Sequence, residues 1–394
     1  MGRKTKPQLE PSQIEGIKYL KMIPELLERL HDQATERDKA GNREFFYDHY
    51  VSLLLLYFFS PVISSLNGLQ EASGLDKVQK LLGVPRVSVG SLSESASVFD
   101  PEPLLGIIQE LAGRAVPVVS GRDAEALAGL TAVDGSVLRA LPRMAWALWQ
   151  DDAHRGIKLH LHFDVFKAVP RNASVTAAAC SESAELADTL EPGRLYVTDR
   201  GYQNYALFQT IIDAKSSFIA RVKDNIAYEV LEERELTDAA KAAGVVRDVV
   251  FSRLGTSHHR NELKQPVRLV VVRATKADGE PYELWLITDR LDLDADLVAL
   301  GYRYRWTVEL FFRWLKSILG MRHLISTRRN GVTMQLYAAL IASLLMVLWT
   351  GLKPNKRTWE MTQHYLLGWA TLDELERHLE RQRVRQERAS AKKS

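Results

Sequence analysis

The stretch "GLTAVDGSVL" (residues 129–138) marks a change of texture in the chain and places an aspartate in the middle of an apolar run. Upstream, from about Pro11 to Gly113, apolar residues recur at helical spacing, as in "IEGIKYLKMIPELLERL" (14–30), with Asp48 and Ser60 placed as breaks or caps. Downstream, "IKLHLHFDVF" (157–166), "NASVTAAAC" (172–180), "RLYVTDRGY" (194–202) and "SSFIARVK" (216–223) carry the β-branched or alternating apolar residues of strands. Between them, "SESAELADTL" (181–190) and "NYALFQTIIDA" (204–214) read as helices. Three strands in succession, then helix, strand, helix, strand, predict an α/β layer that begins as a meander and continues through helical crossovers.

The rest of the chain arranges itself around that layer. Residues 225–290 read as a β-rich insertion, with "GVVRDVVFSRLG", "PVRLVVVRA" and "YELWLIT" as strands and "TKADGE" as a turn. Helices return from about Asp294. The expected division is a helical region over 1–113, a core over 120–224 and 291–352 split by the insertion, and a helix with a basic tail over 353–394.

With 394 residues, 46% of them hydrophobic, the chain can bury a substantial core, which excludes intrinsic disorder as its main character. Cys180 is the sole cysteine, so an internal disulfide is excluded and any metal site must use oxygen or imidazole ligands. The start "MGRKTKPQLE" lacks the apolar core of a signal peptide, and the cytoplasm is the expected compartment. Two uncharged runs, from Tyr50 and from Gly331, approach membrane-spanning length but carry Pro61 and Asn67, or Thr333, Gln335 and Ser343; both read as buried helices, with no membrane partner. The net charge of +3 is mild, but basic residues gather at Arg3, Lys4 and Lys6, at Arg322, His323, Arg328 and Arg329, and along "RQRVRQERASAKKS" (381–394).

The chemistry gathers in "GYRYRWTVELFFRWLKSILG" (301–320). On one helix, Tyr302, Arg305, Glu309 and Lys316 fall on a single face, while Val308, Phe311, Phe312 and Leu315 form an apolar stripe that can rest on a sheet. Arg305 and Glu309 also fit a plain i,i+4 ion pair, worth about a few tenths of a kcal/mol. Asp134 and Asp199 would lie on neighbouring strands and can converge with Glu309 on one point. Three carboxylates held together need a shared cation, and hard oxygen ligands favour Mg²⁺ or Mn²⁺.

The order Tyr302, Arg305, Glu309, Lys316, preceded by "DG" at Asp134 and "DRGY" at Asp199, resembles the YREK-signature subgroup of the DDE transposases of bacterial insertion sequences. The resemblance covers roughly residues 125–350. It implies a ribonuclease-H-like core interrupted by a β-rich insertion, and Asp134, Asp199 and Glu309 as catalytic ligands of two Mg²⁺ or Mn²⁺ ions. It further implies that Tyr302, Arg305 and Lys316 contact DNA near the cut, with Arg200 and Arg313 as further phosphate contacts. Trp306 and Trp285 are candidate stacking partners for a flipped base.

The activity implied is cleavage of element ends and their joining to target DNA, by a homodimer on double-stranded DNA, with the helical region 1–113 binding the terminal repeats. A ribonuclease-H-like nuclease or resolvase without strand transfer, and a domesticated DNA-binding descendant, are the competing readings. The second "TDR", at Asp289, lacks the following Gly-Tyr and reads as a loop. His160, His162 and Asp164 alternate on one strand and read as a packed face, while Cys180, His258 and His259 carry no constellation.

Overall fold

The computed structural model describes residues 22–33, 41–119, 121–140, 143–147, 155–254, 263–276, 278–320 and 324–391. The basic residues Arg3, Lys4, Lys6, Arg322, His323, Lys392 and Lys393, and the pair His258 and His259, lie outside them.

Helices α1 (Met22–Leu27), α2 (Tyr47–Phe59), α3 (Leu66–Ser73), α4 (Asp76–Leu82), α5 (Val89–Val98), α6 (Glu102–Arg114) and α7 (Arg122–Ala126) precede the sheet. Ser60 is the C-cap of α2, whereas Asp48 lies inside its first turn. Then come β1 (Leu130–Arg139), β2 (Gly156–Asp164), β3 (Val169–Ala177), α8 (Glu182–Asp188), β4 (Leu195–Thr198), α9 (Tyr205–Asp213) and β5 (Ser217–Val222). The strands β6 (Tyr228–Glu233), β7 (Val245–Leu254), β8 (Val267–Thr275) and β9 (Pro281–Thr288) follow, with α10 (Asp238–Ala242) between the first two. The chain continues through α11 (Ala295–Tyr304), α12 (Trp306–Gly320), α13 (Arg329–Thr350), α14 (Lys356–Leu366) and α15 (Leu372–Ala391).

All nine strands belong to one sheet, in the order β3-β2-β1-β4-β5-β9-β8-β7-β6. β1, β2 and β3 form an antiparallel meander, while β4 and β5 lie parallel to β1 through helical crossovers. This is the ribonuclease-H-like arrangement. The β-rich residues join the same sheet, because β9 pairs antiparallel with β5, Val222 opposite Trp285. β3 starts earlier than the sequence suggests: Pro170, a turn signal in isolation, sits where the β2–β3 register shifts, the kind of irregularity at which a strand tolerates a residue without an N–H.

Both faces of the sheet are covered, so alternate residues of one strand enter different cores. Ala132, Leu195, Val197 and Ile219 join the larger cluster under α11, α12 and α13. Val133, Tyr196, Phe218 and Ala220 join the cluster under α8 and α9. α11 comes very close to the sheet, since a Cβ on Gly301 would lie 2.8 Å from Ile219 Cδ1. α13 is apolar all round, yet 94% of its most apolar 18-residue window is buried within the protein. Tyr337 Oη on that helix donates to Ala173 O of β3 at 2.9 Å. α13 is a core helix.

Candidate active site

β1 and β4 are parallel neighbours in which Ala132 stands opposite Val197. Asp134 and Asp199 each lie two residues beyond that pair, so the strand period carries both carboxylates to one end of the sheet and the same face. Asp134 Oδ1 accepts the Gly135 N–H at 2.8 Å. Asp199 Oδ1 accepts the Gly201 N–H at 2.8 Å and so caps the short 3-10 turn Arg200–Tyr202. Arg200 follows immediately and is exposed.

Glu309 arrives from the helical side. The sequence predicts one helix over 301–320; the structure has two, α11 and α12, meeting at Arg305. There the Arg305 N–H bonds Tyr302 O and the Val308 N–H bonds Arg305 O, tighter i to i−3 closures that interrupt the regular ladder. The break leaves the polar groups together. Arg305 Nη2 donates to Glu309 Oε1 at 2.5 Å, and its guanidinium lies 5.8 Å from the Tyr302 ring centroid. Beneath them Val308, Phe311, Phe312 and Leu315 are buried, with the Phe311 ring 4.9 Å from that of Phe163 on β2. The i,i+4 ion pair therefore exists, and it forms the wall of a site.

That site is a cavity of about 360 Å³ lined by Asp134, Ser136, Glu309, Phe312, Arg313 and Lys316. Burial pushes the Asp134 carboxyl up to about 7; Asp199 and Glu309 push it the same way, whereas Arg305 and the Gly135 N–H pull it down. The four side chains thus share one electrostatic neighbourhood. Arg305 Nε has no hydrogen-bond partner, which leaves its guanidinium a donor to offer.

A second cavity, of about 530 Å³, opens on the other side of the helix junction. Arg221, Arg273, Arg303, Arg305, Tyr302 and Trp306 are among its walls. Trp306 is 50% exposed, and the Arg313 guanidinium lies 5.8 Å from its ring centroid. Trp285 is not brought there. It packs against the core under α9, with its ring 6.2 Å from that of Tyr228, because its strand neighbours Leu284 and Leu286 take the cavity side.

Two residues beside the aspartates were not singled out by the sequence: Glu182, at the start of α8, and Tyr202, buried with no partner for its hydroxyl. The "GY" after Asp199 was the available signal for the tyrosine; Glu182 had none, being one of several acidic residues in a short amphipathic helix.

The other polar groups are structural. Asp289 Oδ1 accepts the Phe218 N–H at 2.8 Å, so the second "TDR" is a strand-end clamp. His160 and His162 bond Thr176 at 2.8 Å and Thr189 at 3.2 Å, while Asp164 accepts from Arg194 at 2.9 Å. His31, Asp48 and His49 also cluster. However, His49 Nδ1 accepts the Phe46 N–H, which puts its proton on the nitrogen facing Asp48 rather than a lone pair that could bind metal.

The oxygen donors Asp134, Asp199 and Glu309 fit a hard divalent cation. Asp134 is half-buried beside two further carboxylates, and a cation shared among them would offset the desolvation, and the smaller repulsion, that raise its carboxyl.

A family model described as "Transposase DDE domain" matches residues 126–345. The chain is 32% identical over 194 residues to the protein named transposase y4zB in Sinorhizobium fredii, covering 49% of this chain and 53% of that one. It is 27% identical over 204 residues to a Geobacillus stearothermophilus protein named as the transposase for insertion sequence element IS5377, covering 52% of each. The chain thus spans about half the length of the curated relatives it matches. A solved structure, a piggyBac transposase synaptic complex with hairpin DNA, aligns with a TM-score of 0.43 at 11% identity over 95% of this chain and 82% of that one, a likeness too distant to carry an argument.

Proposed function

The chain belongs to the DDE transposase family, and on that premise we propose that it is a metal-dependent DNA transposase, of the YREK-signature subgroup, that cuts the ends of an insertion sequence and joins them to target DNA. The observation that supports this reading is a cavity in which Asp134 and Glu309 meet Arg313 and Lys316, with Asp199 and Arg305 near enough to bear on the Asp134 carboxyl. Carboxylates repel phosphates; a protein that only bound DNA would gain nothing from gathering them where its basic residues meet.

Asp134, Asp199 and Glu309 would hold Mg²⁺ or Mn²⁺, two ions per site. Held there, such ions would supply Lewis acidity toward an attacking water or 3′-hydroxyl and toward the leaving oxygen of a phosphodiester. The chain's own residues then do three things. The carboxylates fix that position at the sheet edge. Lys316 and Arg313, in the same cavity, and Arg200 bind the phosphates flanking the cut. Arg305, bonded to Glu309 by one guanidinium nitrogen, orients that carboxylate while Tyr302 supports the guanidinium from below.

Trp306, half-exposed beside a cavity rich in arginines, offers a stacking face to a base drawn out of the duplex. Trp285, packed beside Tyr228, supports its strand and reaches such a base only if DNA runs over the opposite face. The helices upstream of β1 would bind the terminal repeats, and two copies on two DNA ends would form the working assembly, in the cytoplasm on the nucleoid.

The test is incubation of the purified chain with Mg²⁺ and a supercoiled plasmid carrying the element's two ends. Excised element plus products in which its 3′ ends are joined to target DNA are expected. Cut ends without any joined product would assign the site to a nuclease or resolvase, and end binding without cutting would assign it to a DNA-binding descendant.

A further inference from the structure

Glu182 reaches the aspartates from the opposite face of the sheet. In β1 the side chains of Asp134 and Ser136 face α12, whereas the intervening Gly135 faces α8, where Glu182 stands. Gly135 has no side chain to keep it away: a Cβ there would lie 2.6 Å from Glu182 Oε1, and the carboxylate would have to swing aside. The other oxygen, Oε2, would lie 3.7 Å from a Cβ on Gly201, which would itself be 3.0 Å from Asp199 Oδ1. One carboxylate therefore touches the glycine of each aspartate motif. Gly135 is the one that leaves room for it.

Lys158 Nζ, at 3.2 Å, is the ion-pair partner of Glu182 among the described residues, and it also donates to Cys180 O at 3.1 Å. That pair satisfies one oxygen edge. The second observation is independent of the acidic cluster. Tyr202 is 1% exposed, and its hydroxyl has no partner. Among charged groups, Glu182, Asp134 and Asp199 bear on it most, in that order, so the hydroxyl lies in the neighbourhood of these carboxylates. A buried hydroxyl is costly to leave unsatisfied, and one lying among three acids marks a place where a water or hydrated ion belongs.

We propose that Glu182 is a fourth carboxylate of the metal pocket, acting through a water of the bound divalent cation that the Tyr202 hydroxyl also holds. This rests on the assignment of Asp134, Asp199 and Glu309 as the ligands. Glu182 is a positioning residue: it adds negative charge behind the aspartates and fixes the orientation of the hydrated ion, while the aspartates make the direct bonds. The arrangement gives the "DG" and "DRGY" motifs a common physical purpose, since Gly135, Gly201 and Tyr202 all border one carboxylate from α8.

The test is Mn²⁺ titrated into the full-length protein without DNA, with free Mn²⁺ counted by electron paramagnetic resonance. Wild type, Asp199→Asn, Glu182→Gln, Tyr202→Phe and Lys158→Met are compared. Loss of an outer-shell partner lowers metal affinity by about 10–100-fold. The expected result is loss of about ten-fold in Glu182→Gln, a smaller loss in Tyr202→Phe, near-complete loss in Asp199→Asn, and no loss in Lys158→Met. Glu182→Gln equal to wild type while Asp199→Asn fails would overturn the role of Glu182 alone. Lys158→Met weakening Mn²⁺ as much as Glu182→Gln would also overturn it, by tracing the effect to the ion pair. Asp199→Asn binding like wild type would bring down the ligand assignment itself, and this proposal with it.

Discussion

Two aspartates on one sheet, Asp134 on β1 and Asp248 on β7, show how differently the two halves of the protein treat a buried charge. Asp248 is 4% exposed, and both its oxygens accept from Arg268, at 2.7 and 2.6 Å. Arg268 also donates to Leu293 O, so the pair clamps the β-rich half to the start of α11. Asp134 has a single backbone N–H at 2.8 Å, two acidic neighbours, and a cationic neighbour, Arg305, already engaged by Glu309. A carboxylate that serves the fold is fully paired. On the reading proposed here, one that serves chemistry is left short of countercharge, and a bound cation would make up the deficit.

The largest effect separates the two directly. Replacing Asp199 with Asn removes a ligand and is expected to lower cleavage of element ends by about 10³-fold or more, several kcal/mol of transition-state stabilisation, with thermal stability preserved. Single-turnover cleavage alongside a melting curve checks it, and a folded variant with normal cutting would break the comparison. The converse is Arg268→Ala, which strands a buried carboxylate. It is expected to cost about 3–5 kcal/mol of stability, measured by denaturant unfolding, while the molecules that remain folded cleave normally.

A smaller effect distinguishes the two tryptophans. Trp306→Ala is expected to weaken end cleavage by about 1–3 kcal/mol, the worth of one stacked base, with little change in unfolding. Trp285→Ala is expected to lower stability first, as its ring packs against Tyr228. The reverse pattern, read from the same two assays, would move the stacking site to the β-rich half.

The smallest effect is in the pH dependence. Asp134 ionises at about 7 when folded, against an ordinary value of 3.8, so the unfolded chain loses this proton first. The stability held by the protonated form is fully present below about 3.8 and is lost as pH rises through about 7. In EDTA, wild type should therefore lose melting temperature between pH 5 and 8 relative to Asp134→Asn, and Mn²⁺ should restore part of it. Parallel melting curves for the two proteins across that range would show that Asp134 is not held out of its ordinary ionisation.

Much of this architecture was legible because local pattern determines it. Period-2 alternation in "TAVDGSVL" and "RLYVTDRGY" gave the strands, and two aspartates on strands of one layer gave the edge. What escaped depends on contacts distant in sequence. That β9 pairs with β5, making the β-rich residues part of the same sheet, follows from no local signal. The helix break at Arg305 leaves helical dihedrals, so propensity does not reveal it. Glu182 stands beside β1 only because Gly135, 47 residues away along the chain by their numbers, makes room for it.

The account stands most directly on Glu309. Glu309→Gln keeps the size of the side chain and removes its charge, so cleavage of a plasmid carrying both element ends in Mg²⁺ should fall to the level of wild type in EDTA, with DNA-end binding unchanged. Cutting by Glu309→Gln at the wild-type rate would contradict the assignment of these three carboxylates as the catalytic metal site.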